Sequence, residues 1–416
     1  MALSASVLVL LYQQGFPNYS RAVSGYSGSI LPSDSENGQW FGDSLAVSGK
    51  LLAVGAFKDR PGLKDSGSVY LFEFDDINRQ WREFQKISPD SPRFGMEFGF
   101  SVDINGKWLA IGAVRDQGST GKDKEVGSVY LYERQNSGRW EFRQRILSPN
   151  MNRSDLFGFS VAIEGNVLVV GSKLDDVQGE NAGAVAIYRF SDSAKIWEKW
   201  AMLSPPDLQP GDRFGTAVSL QLPWVLIGAS ESDGKIENSG SVHVFALAEN
   251  SNTFVWHSTL RPTTEVLGEK FGVEIDIFDD TVFIGASAWA QTDTATGSVS
   301  VFELEGNQWQ LSHQLRPEDL ELGDMFGFRV VAHKNELAIG AHFSRVTNTD
   351  RAGVVYRYSK INGRWHSTER VFLKDGREDD RFGIALALGS QGLIIGAEKA
   401  DASGTDSGAI FFYDTN

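Results

Sequence analysis

Asp59, Asp116 and Asp175 each stand four residues beyond a glycine (Gly55, Gly112 and Gly171) that opens a polar segment. Carboxylates recurring at one such position suit a cation or a basic partner; the plainer alternative is a solvated acidic rim. Arg60, Arg115, Arg345 and Arg351 interrupt the same kind of segment, and planar guanidiniums suit the recognition of carboxylates. Trp289 takes the aspartates' place after Gly285, among small residues. A Trp there is either capped by a neighbouring loop or exposed as a binding anchor. His342, two residues after Gly340, is the only one of six histidines in such a segment, and it is read as a surface contact in preference to a base. These nine residues are the candidate ligand-binding face, with no catalytic or metal-ligating residue assigned.

Motifs for harder chemistry are missing. The chain has no Walker A loop, no G-x-G-x-x-G and no H-E-x-x-H. Ser101 and Ser160 follow Phe-Gly pairs but lack the second glycine of a nucleophile elbow, so they read as packing positions. There is no cysteine, which excludes disulfide scaffolds, zinc ribbons and thiol chemistry. A formal charge of −15 argues against nucleic acid and anionic membrane surfaces as partners, because phosphate affinity needs clustered Lys and Arg. No stretch reaches the ~18 consecutive apolar residues of a spanning helix. The run ASVLVLLY from Ala5 to Tyr12 has no basic residue before it, the first being Arg21. Residues 1–24 are expected to be an N-terminal extension or leader remnant, and residues 25–416 one domain.

The elements that position these residues are set by a repeat. Phe-Gly recurs at Phe41, Phe98, Phe157, Phe214, Phe271, Phe326 and Phe382, at intervals of 55 to 59 residues. Fourteen residues after each Phe comes another glycine: Gly55, Gly112, Gly171, Gly228, Gly285, Gly340 and Gly396. A third glycine opens an apolar strand at Gly67, Gly127, Gly183, Gly240, Gly297, Gly353 and Gly408. A Trp then opens one more strand at Trp81, Trp140, Trp197, Trp256, Trp309 and Trp365. Each copy reads as four strands with no helical patterning, and second strands such as LLAVGA and VLVVGS are apolar throughout, as suits sheets covered on both faces. Seven four-stranded units in one chain predict an all-β, seven-bladed β-propeller of antiparallel blades. The last copy stops after its third strand, and the segment from Ser27 to Ser33 resembles a fourth strand. That N-terminal strand is expected to complete the last blade and remove two open edges. Short hairpins between first and second strands are read at Ser48-Gly49, Asn105-Gly106 and Glu164-Gly165 and their equivalents.

Phe-Gly followed at fixed distance by Gly-Ala resembles FG-GAP repeats, over about residues 27–416. The conspicuous Trp is similar to the bacterial members more than to the integrin α subunits that carry the same propeller. The resemblance implies a seven-bladed propeller, and in integrin-like members calcium held by a D-x-D-x-D-G hairpin loop. That loop is absent from all seven copies, so no cofactor is expected. The proline of the family pattern is absent too.

Function is expected from the resemblance and from the variable second-to-third-strand loops, which strand alternation places on one propeller end. The leading expectation is a non-catalytic recognition and adhesion module, monomeric, extracellular or on the cell surface, or else periplasmic. It would bind a protein or glycan, with neither nucleic acid nor membrane insertion. The alternative is a polysaccharide-acting hydrolase or lyase with its site among the same loops. A propeller hosts either, so the fold alone does not choose.

Overall fold

The computed structural model describes residues 26–117, 125–150, 154–248, 250–287, 296–346 and 349–414. These residues form seven four-stranded antiparallel sheets and no helix. Blade one consists of β2 (Ser44–Ser48), β3 (Leu51–Ala56), β4 (Ser68–Asp75) and β5 (Gln80–Ile87), hydrogen-bonded in chain order. The innermost strands of blades two to six are β6 (Phe98–Asn105), β10 (Phe157–Glu164), β14 (Phe214–Gln221), β18 (Phe271–Phe278) and β22 (Arg329–His333). Blade seven is built from β26 (Ala385–Gly389), β27 (Gly392–Ala397) and β28 (Ala409–Tyr413), closed by β1 (Tyr26–Ile30), which pairs antiparallel with β28. The N-terminal strand thus completes the last blade, and Arg79 ties β28 to blade one through a two-pronged contact with Asp414 at 2.6 and 2.7 Å. The N-terminal extension proposed for residues 1–24 lies outside the described residues.

Each core cluster is shared by two adjacent blades, so packing energy is stored between sheets. Phe41, Phe72 and Trp81 of blade one meet Ile394, Ile410 and Phe412 of blade seven in one such cluster. The fixed 14-residue spacing has a steric cause at these junctions. A Cβ added at Gly396 would lie 2.1 Å from the carbonyl oxygen of Gly42, and one at Gly55 would lie 2.1 Å from that of Gly99. The glycine of one blade's second strand is therefore the seat for the Phe-Gly carbonyl of the next. Ser101 and Ser160 clamp the same junction, donating to the carbonyls of Gly158 (2.7 Å) and Gly215 (2.9 Å), which is the packing role expected of them.

The fourth-strand Trp side chains also join blades. Trp81 packs on Phe412, Trp197 on Trp108, Trp309 on Trp224 and Trp365 on Phe283, each across a blade boundary. Blade four differs: Trp256 is 43% exposed, and the second position of its outer strand holds Phe254, which packs on Trp200. The first hairpins sit one residue later than expected in blades one to three, at Gly49-Lys50, Gly106-Lys107 and Gly165-Asn166, because Ser48, Asn105 and Glu164 still pair with the second strand. Each of those glycines has a φ near +57°, the left-handed conformation these two-residue turns require. Among the described residues no helix is long and apolar enough to cross a membrane.

Candidate active site in the channel mouth

The innermost strands surround a central channel that holds, on the side of the Phe-Gly motifs, a cavity of about 650 Å³. Most of its wall comes from two repeat positions, the residue after Phe-Gly and the one following it, joined by residues two beyond the Gly-Ala glycine. Those positions are mostly apolar or small: Phe100, Phe159, Val273, Phe328 and Ile384 at the first, Ser44, Ser101, Ser160, Ala217 and Ala385 at the second. The charged residues at these two positions are Asp43, Glu274 and Arg329, and Lys173 stands at the position two beyond the glycine, as Glu398 and His342 do; Asp43, Glu274, Arg329 and Lys173 line the cavity.

Asp43 follows Gly42, and Glu398 lies two residues after Gly396, so the glycine contact at the blade seam brings the two carboxyls together. Burial raises the pKa of Asp43 well above the ordinary carboxylic range, and the charge and hydrogen bond of Glu398 add to it, against a smaller pull from Arg329. A raised pKa favours the protonated form of Asp43. Glu398, 2% exposed, accepts from Arg381 at 2.8 Å, and Arg381 is anchored on Asp379 at 3.0 Å. Across the mouth, Glu274 is held by Arg329 at 2.9 Å; its pKa is raised by burial and pulled back by that guanidinium. One carboxyl kept protonated and another kept beside a cation provide an acid and a base at a single cavity. Arg329 can stabilise negative charge developing between them.

Deeper in the channel, Asp103 and Asp276 bind the next blade's backbone, accepting from Ile163 N (2.7 Å) and Ala332 N (2.6 Å). Burial raises Asp103 to about 6 and Asp276 to about 7. They are clamps between blades, not part of the mouth.

The residues proposed from sequence occupy other places. Asp59, Asp116 and Asp175 are 4%, 1% and 1% exposed, so they form neither a solvated rim nor an open ligand site. Asp59 accepts from Gln39 at 3.0 Å and pairs with Lys86 at 2.7 Å. Asp116 accepts from Ser128, Tyr130 and Arg145, at 2.6, 2.8 and 2.6 Å. Asp175 accepts from Asn150 at 2.7 Å and from Val177 N at 2.9 Å. The backbone carbonyl at the same position accepts from the glycine ending each loop, Gly67 to Asp59, Gly127 to Asp116 and Gly183 to Asp175. Ser232, Ser344 and Ala400 do the same for Gly240, Gly353 and Gly408. This position shuts the loop against its own blade. Trp289, its equivalent in blade five, lies outside the described residues.

His342 is 2% exposed, between the rings of Phe328 and Phe343 with centroids 4.4 Å away on either side, so it is no surface contact. Burial drives its pKa well below the usual histidine value, and Arg381 and Arg329 push it the same way, which keeps the ring neutral. Arg351 lies over Phe343 and 3.8 Å from Asp379, and so reaches the cluster around Arg381. Arg115 pairs with Glu97 at 3.3 Å. Arg345 pairs with Asp350 within its own loop at 2.6 Å, and Arg60 is exposed. The structure brings Arg351 and His342 into one neighbourhood and leaves the other described candidates out of it. Among the described residues no three His, Asp or Glu side chains gather into a metal-binding group.

Asp43, Glu274 and Arg329 lie in or beside the first strands, outside the second-to-third-strand loops that hold the candidates read from sequence, whereas Lys173 and Glu398 open two of those loops. A signal was present: within a repeat whose wall positions are apolar or small, Asp43, Lys173, Glu274 and Arg329 break the pattern.

No curated protein sequence matches the chain. Among solved structures, it is similar to the periplasmic gluconolactonase PpgL of Pseudomonas aeruginosa, at 13% identity and a TM-score of 0.52, over 80% of this chain and 86% of that one. A putative 6-phosphogluconolactonase from Bacteroides uniformis matches at 10% identity and a TM-score of 0.55, over 84% and 88%. Another, from Bacteroides fragilis, matches at 13% and 0.51, over 80% and 85%. At these identities the likeness is one of fold. The expectation of a non-catalytic adhesion propeller is nevertheless corrected by it, since these similar propellers bear the names of hydrolytic enzymes. The channel mouth supplies the acid–base groups that the loops did not. Residues 27–72, 81–132, 140–188, 197–245 and 365–413 match the FG-GAP repeat, and the chain belongs to the FG-GAP repeat family.

Proposed function

We propose that this propeller is a hydrolase acting on a sugar-derived lactone in the mouth of its central channel. The observation that carries the reading is the Asp43–Glu398 carboxyl pair, with Glu398 buried and Asp43 half-buried on the wall of a cavity of about 650 Å³, its pKa raised by burial and by Glu398. In this mechanism Glu274 takes a proton from the attacking water, Arg329 stabilises the oxyanion formed at the carbonyl, and Asp43 protonates the departing ring oxygen. Opening the ring leaves a hydroxy acid, whose carboxylate forms beside Arg329. The enzyme names borne by the three similar propellers support the choice of a lactone over a polysaccharide. The periplasmic member among them supports placing this chain outside the cytoplasm.

The test is hydrolysis of glucono-δ-lactone and related sugar lactones by the purified chain, with spontaneous opening subtracted. Asp43→Asn is expected to lower kcat about 100-fold, the ordinary scale for loss of a general acid. Rates equal to those of Asp43→Asn for every lactone tried would refute the reading.

A further inference from the structure

A second feature of the cavity is unused by this mechanism. Lys173, Arg213 and Lys270 come from blades three, four and five and line one wall, although the chain as a whole carries a charge of −15. Among the described residues one carboxylate pairs with them: Glu231 accepts from Arg213 at 2.8 Å and from Lys270 at 2.9 Å. Lys173 has no ion-pair or hydrogen-bond partner among the described residues; its ammonium sits 3.5 Å above the ring of Phe159. Ser287 lines the same wall, is 2% exposed, and has no partner for its hydroxyl among the described residues.

Three cations around one carboxylate leave an uncompensated positive charge in a partly desolvated place. Like charges held together in this way are unfavourable unless an anion joins them. The cost is visible at Lys173, which burial, with Arg213 and Lys270, pushes down to about 8. A free ammonium, a guanidinium, a second ammonium and a free hydroxyl offer donors from several directions. That arrangement suits a tetrahedral dianion better than a flat carboxylate, which one guanidinium fork would satisfy.

We propose that Lys173, Arg213, Lys270 and Ser287 form a subsite for the phosphate monoester of a phosphorylated substrate. The substrate's being a lactone rests on the hydrolase reading; the subsite itself does not. Its position also orients the substrate, with the phosphate against blades three to five and the rest of the molecule reaching Asp43 and Arg329.

The probe is inorganic phosphate, titrated calorimetrically into the full chain at neutral pH and low salt. Lys173→Met and Lys270→Met are each expected to weaken binding about tenfold or more, as loss of a charge-assisted contact does. Lys173→Arg should restore most of the affinity, and Arg345→Met, on an exposed loop, should change it by less than about twofold. Asp43→Asn should lose hydrolysis and leave phosphate affinity unchanged, whereas a wild-type chain that binds phosphate but opens no lactone would count against the lactonase reading and for the subsite. Absence of phosphate binding by the wild-type chain, or wild-type affinity in a correctly folded Lys173→Met, would overturn the subsite.

Discussion

The carboxyl of Asp43 and that of Glu398 share a hydrogen bond across the seam between blade one and blade seven. The two residues stand near opposite ends of the chain, and ring closure alone makes them neighbours. Each is one or two residues from a glycine of the closure contact, Gly42 and Gly396. Closure and the proposed chemistry are therefore one construction, and damage to the seam reaches the acid directly.

Glu398 acts through Asp43, so its removal should show in a pH profile. Glu398→Gln deletes the like charge that helps hold the proton on Asp43, and the pKa of Asp43 then falls. The alkaline limb of kcat/KM should move to lower pH by about one unit, the usual scale for loss of an adjacent charge. An unmoved limb with lowered activity would leave Glu398 a purely structural part.

Gly396→Ala tests the seam by sterics. The new Cβ would stand 2.1 Å from the Gly42 carbonyl oxygen, and backbone must move to make room. Denaturant unfolding should show a loss of about 3 kcal/mol, the upper end for overpacking. Gly49→Asn is the control: Gly49 has a φ of +59° and open space around it, and Asn tolerates that conformation. Its effect should stay within about 0.5 kcal/mol.

Asp116→Ala separates anchoring from binding. It removes the acceptor for Ser128, Tyr130 and Arg145 together and leaves the guanidinium partly buried without its closest carboxylate. Stability should fall by about 3 kcal/mol, as when one partner of a buried pair is removed. The KM for any substrate that the wild type turns over should not change. A raised KM with unaltered thermal stability would return this position to the binding face.

Asp276 gives stability a pH dependence whose sign is fixed. Its pKa is about 7 in the folded chain and near 3.8 in the unfolded one, so between those values the native state binds more protons than the unfolded state. Its contribution is then most favourable below about pH 4 and declines as pH rises to about 7. Asp276→Asn keeps an oxygen for Ala332 N, which Asp276 accepts at 2.6 Å, and removes the charge. The variant should melt roughly 2 °C or more above wild type at pH 8 and no higher at pH 4. A constant difference across that range would show that the charge is not responsible.

The sequence by itself determined the architecture, because a propeller repeats its sterics. Phe-Gly, Gly-Ala and the third glycine return at fixed spacing since each blade must seat the next one's backbone, as Gly396 seats Gly42 and Gly55 seats Gly99. The strand pairing β1 with β28 was legible for the same reason: an outer strand missing at one end was present at the other. Which side chains meet was a different matter. Asp59, Asp116 and Asp175 looked like a rim because their segments are polar, yet short hydrogen bonds to Gln39, Tyr130 and Asn150 turn them inward. Asp43 and Glu398, or Lys173 and Lys270, have no sequence relationship, because their proximity comes from closing seven blades around one axis. Only the tertiary structure decided that the polar exceptions to an apolar wall converge in one cavity.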